Sequence, residues 1–248
     1  MGNTLKTSFR YAAVIIGFIS FISISTNTAA RDVLGIAGYS GNTDDTHYGY
    51  AGFIIPLKIG ENQEGNFGQD GFLLRLWGAG LAYDYDTGTP SVNIDVTGGI
   101  GEAGLGYHWV RPTYTNSLYI SYVGKFLDDD PDDPFNNNID DHNGLKFQAD
   151  TTQNINEQFG INLNGSYTAF LDDYWARGRL FYRYTDSIKI GPELTGLGGD
   201  RYDRIKFGAF ISGIKIGSAS MVLNVGADHD NRDDDTDMYF GASFSRMF

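Results

Sequence analysis

Cysteine is absent from all 248 residues of the sequence. Without it there can be no disulfide scaffold, thiol enzyme or cysteine zinc site, so the folded state must be held by packing or by a membrane. Basic residues are also scarce, since 18 Lys and Arg stand against 31 Asp and Glu and the net charge is −13. A chain this acidic repels phosphate backbones, and nucleic acid is therefore not expected as a partner.

A long apolar run occurs once, near the N-terminus. Lys6 and Arg10 precede an apolar stretch at residues 11–25, and small residues follow it. A membrane-spanning helix would need roughly 20 apolar residues, which this stretch does not reach. The three-part layout instead predicts a secretory signal peptide over residues 1–30 and an exported domain over residues 31–248. Loss of the peptide would move the net charge to −15, because it carries two basic residues and no acidic one.

The exported part is rich in Tyr, Phe and Gly and repeats with a period of two between turn residues. This pattern predicts about twelve strands, within a range of roughly ten to fourteen. Most of them reach the 9–11 residues that a tilted transmembrane strand needs, whereas soluble strands are nearer 5–6. The predicted fold is an all-β, antiparallel transmembrane β-barrel in the bacterial outer membrane. Its expected surroundings are outer-membrane lipid and lipopolysaccharide.

The connections favour the same fold. Long acidic segments at residues 84–95, 127–143 and 228–237 follow the third, fifth and eleventh predicted strands, whereas the connections after the even-numbered strands are mostly short. Long loops on one side and tight periplasmic turns on the other are typical of outer-membrane barrels. Residues 58–69 disagree, because this segment is long but should lie on the short-turn side.

The acidic segments also raise the question of a metal. Asp84, Asp86 and the aspartates of residues 228–237 resemble the start of a calcium loop. An EF-hand loop closes with a Glu at position twelve and lies between helices, and neither segment meets these conditions. Solvated surface loops, bridged through divalent ions to lipopolysaccharide, are the preferred interpretation, and no metal site or cofactor is predicted.

The last predicted strand, "MYFGASFSRMF", alternates as a barrel-closing strand should. Met238, Phe240, Ala242 and Phe244 are expected to face lipid, and Tyr239, Ser243 and Ser245 the lumen. Arg246 lies near the strand end, where it can reach the interface. The terminal Phe248 resembles the signal read by the outer-membrane assembly machinery, which is therefore an expected partner.

Basic residues alternate with apolar ones in three successive strands. An Arg on the lipid face at the midplane would cost roughly 2–4 kcal/mol, so the basic face must point into the lumen. The predicted lumen charge ladder consists of Arg177, Arg179, Arg183, Lys189, Glu193, Arg204 and Lys206. Two roles remain open for it: an ion-pair network with Glu102 and Asp150 that plugs the barrel, or a positively lined passage for anions or polar saccharides.

Aromatic residues near strand ends suit interfacial girdles, with stacking on sugar rings as the alternative. The residues in question are Trp77, Tyr107, Trp109, Tyr174 and Trp175. No enzyme is predicted. No motif places Ser121 or Ser166 beside a His, and ion pairing explains Glu102 and Asp150 better than a glycosidase dyad does.

Several stretches resemble the BcsS family of cellulose biosynthesis proteins. The matching features are Val123-Gly124, the "PDDP" block at 131–134, Gly144 to Lys146, Gly191-Pro192-Glu193, Tyr202-Asp203, Arg204, Gly208 and Gly213. "DGFLLRLWGAGLAYDY" and "YWARGRLFYRY" are also similar to the family. The resemblance implies an exported barrel linked to bacterial cellulose production or secretion, and it brings no catalytic residues with it.

The predicted function is therefore that of a non-catalytic accessory barrel of cellulose biosynthesis or export, serving exopolysaccharide and biofilm formation. Components of the cellulose synthesis and export system, or the glucan chain itself, are candidate partners. Two alternatives remain: a small diffusion channel for anionic or polar solutes, and a structural adhesion barrel that acts through its acidic surface loops.

Overall fold

The computed structural model describes residues 32–59, 65–86, 92–131, 142–169, 171–199, 202–232 and 234–248. The predicted signal peptide and part of the "PDDP" block lie outside these residues. The described chain forms twelve strands: β1 Leu34–Asn42, β2 His47–Leu57, β3 Gly71–Asp86, β4 Asn93–Val110, β5 Tyr114–Asp130, β6 His142–Asn154, β7 Phe159–Ala169, β8 Asp173–Arg183, β9 Lys189–Gly198, β10 Asp203–Ile216, β11 Ala219–Asp230 and β12 Asp235–Met247.

Each strand pairs antiparallel with its sequence neighbours, and β12 pairs with β1 to close the barrel. The predicted all-β, antiparallel, twelve-stranded barrel is therefore confirmed. Closure satisfies the backbone of every strand and leaves no sheet edge, which is a condition for crossing a membrane with strands. No helix in the described residues is long and apolar enough to cross a membrane.

Side chains alternate between an apolar outer surface and a lumen. On β12, Met238 and Phe240 are 61% and 48% exposed, whereas Tyr239 between them is 2% exposed. On β5, Leu118 and Ile120 are exposed on either side of the buried Tyr119. Exposed apolar side chains on every second position form the lipid-facing band that a transmembrane barrel requires.

The strand ends define two ends of the barrel. The turn end carries both termini of the barrel and the turns at residues 111–113, 155–158, 184–188 and 217–218. The opposite end, here called the loop end, carries the connections after the odd-numbered strands. In an even-stranded barrel the turn end is the one that faces the periplasm.

The predicted distribution of loop lengths is only partly correct. The acidic segment at 228–237 is mostly strand, because β11 continues to Asp230 and β12 starts at Asp235. Residues 43–46 also make a short connection at the loop end. Aspartate is unfavourable in strands on average, but strand ends that extend beyond the lipid are in water and tolerate it.

The long connection between β2 and β3 is a genuine exception at the turn end. Its Phe67 packs against the buried cluster of Ile54, Leu73 and Tyr119. Phe67 also meets the ring of His108 edge-on at 6.0 Å between centroids. Phe67 therefore packs the described part of this connection against the barrel at the turn end.

Candidate functional site

Among the described residues, the lumen contains three buried carboxylates, each surrounded by cations and neutral donors. The first is Glu102 on β4, which is 6% exposed. Arg75 Nε lies 2.6 Å from its Oε1 and Lys146 Nζ lies 2.8 Å from its Oε2. Ser121 Oγ also donates to Oε1 at 2.9 Å. Register explains the cluster, since Glu102, Ser121 and Lys146 lie on neighbouring strands at nearly the same height.

The second carboxylate is Glu193 on β9, which is 2% exposed. Its direct neighbour across the β8–β9 ladder is Arg179, and the two form an ion pair. Asn224 Nδ2 and Tyr239 Oη donate to Oε1 of the carboxylate at 2.9 and 3.1 Å. The Arg179 guanidinium lies 4.6 Å from the ring centroid of Phe210. Charge and hydrogen-bonding capacity are thus both met within the lumen wall.

The third carboxylate is Asp228 on β11, close to the loop end. Lys206 Nζ and Arg204 Nη1 lie 2.9 and 3.4 Å from its Oδ2. Arg204 also reaches Asp230, with Nε 3.0 Å from Oδ2. Arg204 Nη2 also lies 3.9 Å from Asp44 Oδ2, so two cations meet three carboxylates at the loop end of the lumen.

The remaining ladder members lack such partners. Arg177 Nη2 donates to the neutral Asn164 Oδ1 at 3.0 Å. Arg183 Nη2 donates to the neutral Asn154 Oδ1. Lys189 Nζ lies 4.6 Å from the centroid of the Phe181 ring. Within the described residues, none of these three cations forms an ion pair with a carboxylate.

All seven residues of the predicted ladder lie on lumen-facing positions, but they do not act as one ladder. Arg179 and Glu193 form one cluster, Arg204 and Lys206 belong to another, and three cations stay apart. Glu102, a predicted partner of the ladder, lies instead in the cluster with Arg75 and Lys146. Asp150, the other predicted partner, accepts hydrogen bonds from the side chains of Gln148 and Asn164, each at 2.9 Å.

Sequence reasoning missed Arg75, Lys146, Asp228 and Tyr239 as members of the clusters. The sequence did indicate the orientation of Arg75, because a single Arg in the apolar run "GFLLRLW" is tolerated only on the lumen side. Lys146 and Tyr239 offered no such signal, since their importance depends on partners that are distant in the sequence.

The prediction of aromatic girdles is wrong for two residues. Trp77 and Trp175 face the lumen, where Trp77 pairs in register with Glu102 and stacks on Tyr50 at 5.0 Å between centroids. Arg75 Cζ lies 4.3 Å from the Trp77 ring. Trp77 and Trp175 each lie two positions from an inward Arg, and this spacing could have placed both tryptophans on the lumen side. Tyr107, Trp109 and Tyr174 lie on outward positions.

The two barrel ends differ electrostatically. At the turn end, the Val110 main-chain N–H and the Arg111 side chain each donate to Asp70 Oδ1 at 2.7 Å. These hydrogen bonds lower the pKa of Asp70 below its usual value. At the loop end, burial raises the pKa of Asp44, and the nearby Asp237 raises it further. The loop end is therefore crowded with acidic groups.

The described residues contain no group of three or more His, Asp and Glu side chains that could hold a metal ion. Asp233 of the acidic segment lies outside those residues. Ser121, considered above as a nucleophile, instead donates to Glu102. Each buried carboxylate of the clusters is thus held by at least one cation.

A closed antiparallel barrel with an even strand count, an apolar outer band and a charged lumen defines an outer-membrane β-barrel protein, and the protein is located in the bacterial outer membrane. The chain belongs to the BcsS family, because the family model described as "Cellulose biosynthesis protein BcsS" matches residues 37–248.

Several solved structures are similar to this chain at low sequence identity. The COG4313 outer membrane channel from Pseudomonas putida F1 is 12% identical, with 91% of this chain and 100% of that chain covered and a TM-score of 0.57. KdgM porin is 11% identical, with 87% of this chain and 99% of that chain covered and a TM-score of 0.46. The transport unit of the autotransporter AIDA-I from Escherichia coli is 11% identical, with 91% of this chain and 93% of that chain covered and a TM-score of 0.49. No curated protein matches this chain.

Proposed function

We propose that this barrel is a non-catalytic accessory component of bacterial cellulose biosynthesis or export, with a lumen closed by its ionic clusters. The observation that carries the proposal is membership of the BcsS family across residues 37–248, which is nearly the whole barrel. The lumen chemistry supports a non-catalytic role, because Glu102, Glu193 and Asp228 are each held by cations at short distance.

A barrel of this kind would act through its two ends. Ion pairs across neighbouring strands fix the wall and resist changes in its shape. Partners would then be met outside the lumen: cellulose synthesis or export components, or the glucan chain, at the periplasmic turns or the outer loops. Residues 1–30 would direct export as a signal peptide, and residues 31–248 would form the mature barrel.

Gene deletion tests the cellulose role directly. Cellulose and biofilm output should fall in the deletion strain and return when the wild-type gene is supplied in trans. An outer-membrane fraction from the complemented strain should show a heat-modifiable gel shift, which reports that the barrel has folded. Unchanged cellulose output in the deletion strain, with the folded barrel shown in the complemented strain, would contradict the proposal.

A small diffusion channel is the second candidate function. The observation that favours it is the set of lumen cations that have no carboxylate partner in the described part of the chain, Arg177, Arg183 and Lys189. A channel would leave cellulose output unchanged on deletion and would slow the uptake of small anionic solutes. Measuring both outputs in one deletion strain separates the two functions.

A further inference from the structure

Two like charges face each other at the turn end of the lumen. Arg183, the last residue of β8, is the direct cross-strand neighbour of Lys189, the first residue of β9. Both point to the lumen side of the wall, as does Phe181. Like charges directly opposite each other in an antiparallel pair destabilise the sheet. A negative charge close to both cations would offset this repulsion.

The described part of the chain does not supply that charge. Neither Arg183 nor Lys189 forms an ion pair there, and the nearest acids along the chain, Glu157 and Asp186, are exposed turn residues that form none either. By contrast, Lys146, Arg179, Arg204 and Lys206 all pair with a buried carboxylate. Within the described residues, Arg183 and Lys189 are therefore two like charges in register that have no counter-charge.

The side chains are nevertheless held in place. Arg183 Nη2 donates to Asn154 Oδ1, while its Nε is buried without a hydrogen-bond partner. Arg183 Cζ and Lys189 Nζ lie 5.9 and 4.6 Å from the centroid of the same Phe181 ring. Phe181 is itself 2% exposed, so the ring provides a fixed surface beside both cations. A guanidinium and an ammonium group are thus brought together beside one aromatic ring.

We propose that Arg183 and Lys189, with Asn154 as a positioning residue, form a binding site for a small oxyanion group that enters from the periplasm. Arg offers a planar fork suited to phosphate or carboxylate, and Lys adds a point charge. The group could belong to free phosphate or to the carboxylate of an acidic sugar, and both share the required chemistry. Arg177 is not part of the site, because it precedes Arg183 by six residues on β8 and lies about 20 Å away.

The site goes beyond the proposed accessory role and can be tested on the purified barrel in detergent. Inorganic phosphate and glucuronate are titrated calorimetrically, with glucose as the uncharged control. Saturable binding is expected for at least one anion and not for glucose. Arg183→Gln and Lys189→Gln should each weaken affinity about tenfold, because each removes a charge-assisted contact. The control Lys215→Gln removes an exposed cation near the same end and should change affinity less than about twofold.

A second measurement uses only the wild-type protein, so it remains informative if the variants fail to fold. The purified barrel is treated with an amine-acylating reagent with and without phosphate or glucuronate, and labelled lysines are quantified by mass spectrometry. The bound anion should slow acylation of Lys189 severalfold and leave Lys215 unchanged. Absence of saturable anion binding, equal affinity in the variants, or equal protection of the two lysines would overturn the proposal.

Discussion

At the scale of single residues, the lumen depends on buried carboxylates that each serve several donors. Glu102 accepts from Arg75, Lys146 and Ser121 at 2.6 to 2.9 Å. Removing one partner of a buried ion pair is strongly destabilising, because the remaining charge stays in a poorly solvating environment. The carboxylate, rather than either cation, is therefore the residue whose loss should matter most.

Glu102→Gln should lower the free energy of unfolding by about 3–5 kcal/mol, since both Arg75 and Lys146 lose their counter-charge. Urea unfolding of the barrel in lipid vesicles, followed by tryptophan fluorescence, measures this change. The control Glu157→Gln alters an exposed turn carboxylate and should shift the free energy by less than about 0.5 kcal/mol. Equal effects of the two variants would show that the Glu102 cluster adds nothing to stability.

Sequence alternation could predict which way these side chains point but not which ones meet. Arg177 and Arg204 were assigned to the lumen because an arginine on the lipid face is too costly. The pairing of Glu102 with Lys146 depends on two successive strand registers, which hydrophobic alternation does not fix. Trp77 was misplaced because its strand is apolar on both faces, and only its spacing from Arg75 revealed the direction.

At the scale of elements, β10 contains an irregularity that requires glycine. The β10–β11 register shifts between Ser212 and Ile214, around Gly213. Gly213 has a φ of +82°, and a Cβ there would clash with the Ser187 carbonyl oxygen. Gly217, in the next turn, also has a positive φ of +59°, but a Cβ there would have nothing within 4 Å. Substitutions at the two glycines therefore distinguish the cost of backbone strain alone from the cost of strain combined with a steric clash.

Gly217→Ala should cost about 1 kcal/mol of unfolding free energy, the strain of an L residue at positive φ. Gly213→Ala should cost about 3 kcal/mol, because the clash with the β8–β9 turn adds to the same strain. Urea unfolding in lipid vesicles gives both values under identical conditions. Similar costs at the two positions would mean that the turn moves aside and that the close approach is not required.

The connection before β3 is fixed by Asp70, whose pKa is lowered by the Val110 N–H and by Arg111. A lowered folded-state pKa means that the contacts stabilise the barrel above the usual Asp pKa of about 3.9 and are lost as pH falls through the folded value. The unfolding free energy of the wild type should therefore fall more steeply below about pH 4 than that of Asp70→Asn.

The variant should also be less stable than the wild type at neutral pH, where the native carboxylate is ionised. Asp186→Asn, which changes an exposed turn carboxylate, serves as the control and should retain the wild-type acid profile. Parallel pH profiles for the wild type and Asp70→Asn, measured by urea unfolding in vesicles, would exclude this role for Asp70.

Strand number was predictable because turn residues interrupt the alternation at regular intervals, but strand length was not. The aspartates at 228, 230, 235 and 237 indicated a loop, yet they occupy paired positions in β11 and β12. Alternation identifies the part of a strand that crosses apolar surroundings. Beyond the apolar surroundings, aspartate occurs in strand as well as in loop, as the buried Asp228 and the exposed Asp235 show, and backbone pairing alone sets the end of the strand.

At the scale of the whole molecule, charge is distributed unevenly along the barrel axis. The loop end carries many aspartates, the lumen contains buried carboxylates paired with cations, and the turn end carries the cations Arg183 and Lys189. The carboxylates of the clusters are almost fully buried, with Glu193 and Asp228 each 2% exposed. Side chains packed to this degree leave little room for water around them, which favours a lumen closed to ions.

Purified wild-type barrel in a planar bilayer should accordingly show conductance close to background. The triple variant Arg75→Ser, Glu102→Ser, Lys146→Ser removes one entire cluster, including both charges of each pair, and leaves short polar side chains that water can solvate. It should produce discrete conductance steps. Glu157→Ser, which changes an exposed turn residue outside the lumen, should behave as the wild type does. Steps of the same size in the wild type and the triple variant would show that the Glu102 cluster does not obstruct the lumen, and the barrel would then have to be regarded as an open channel.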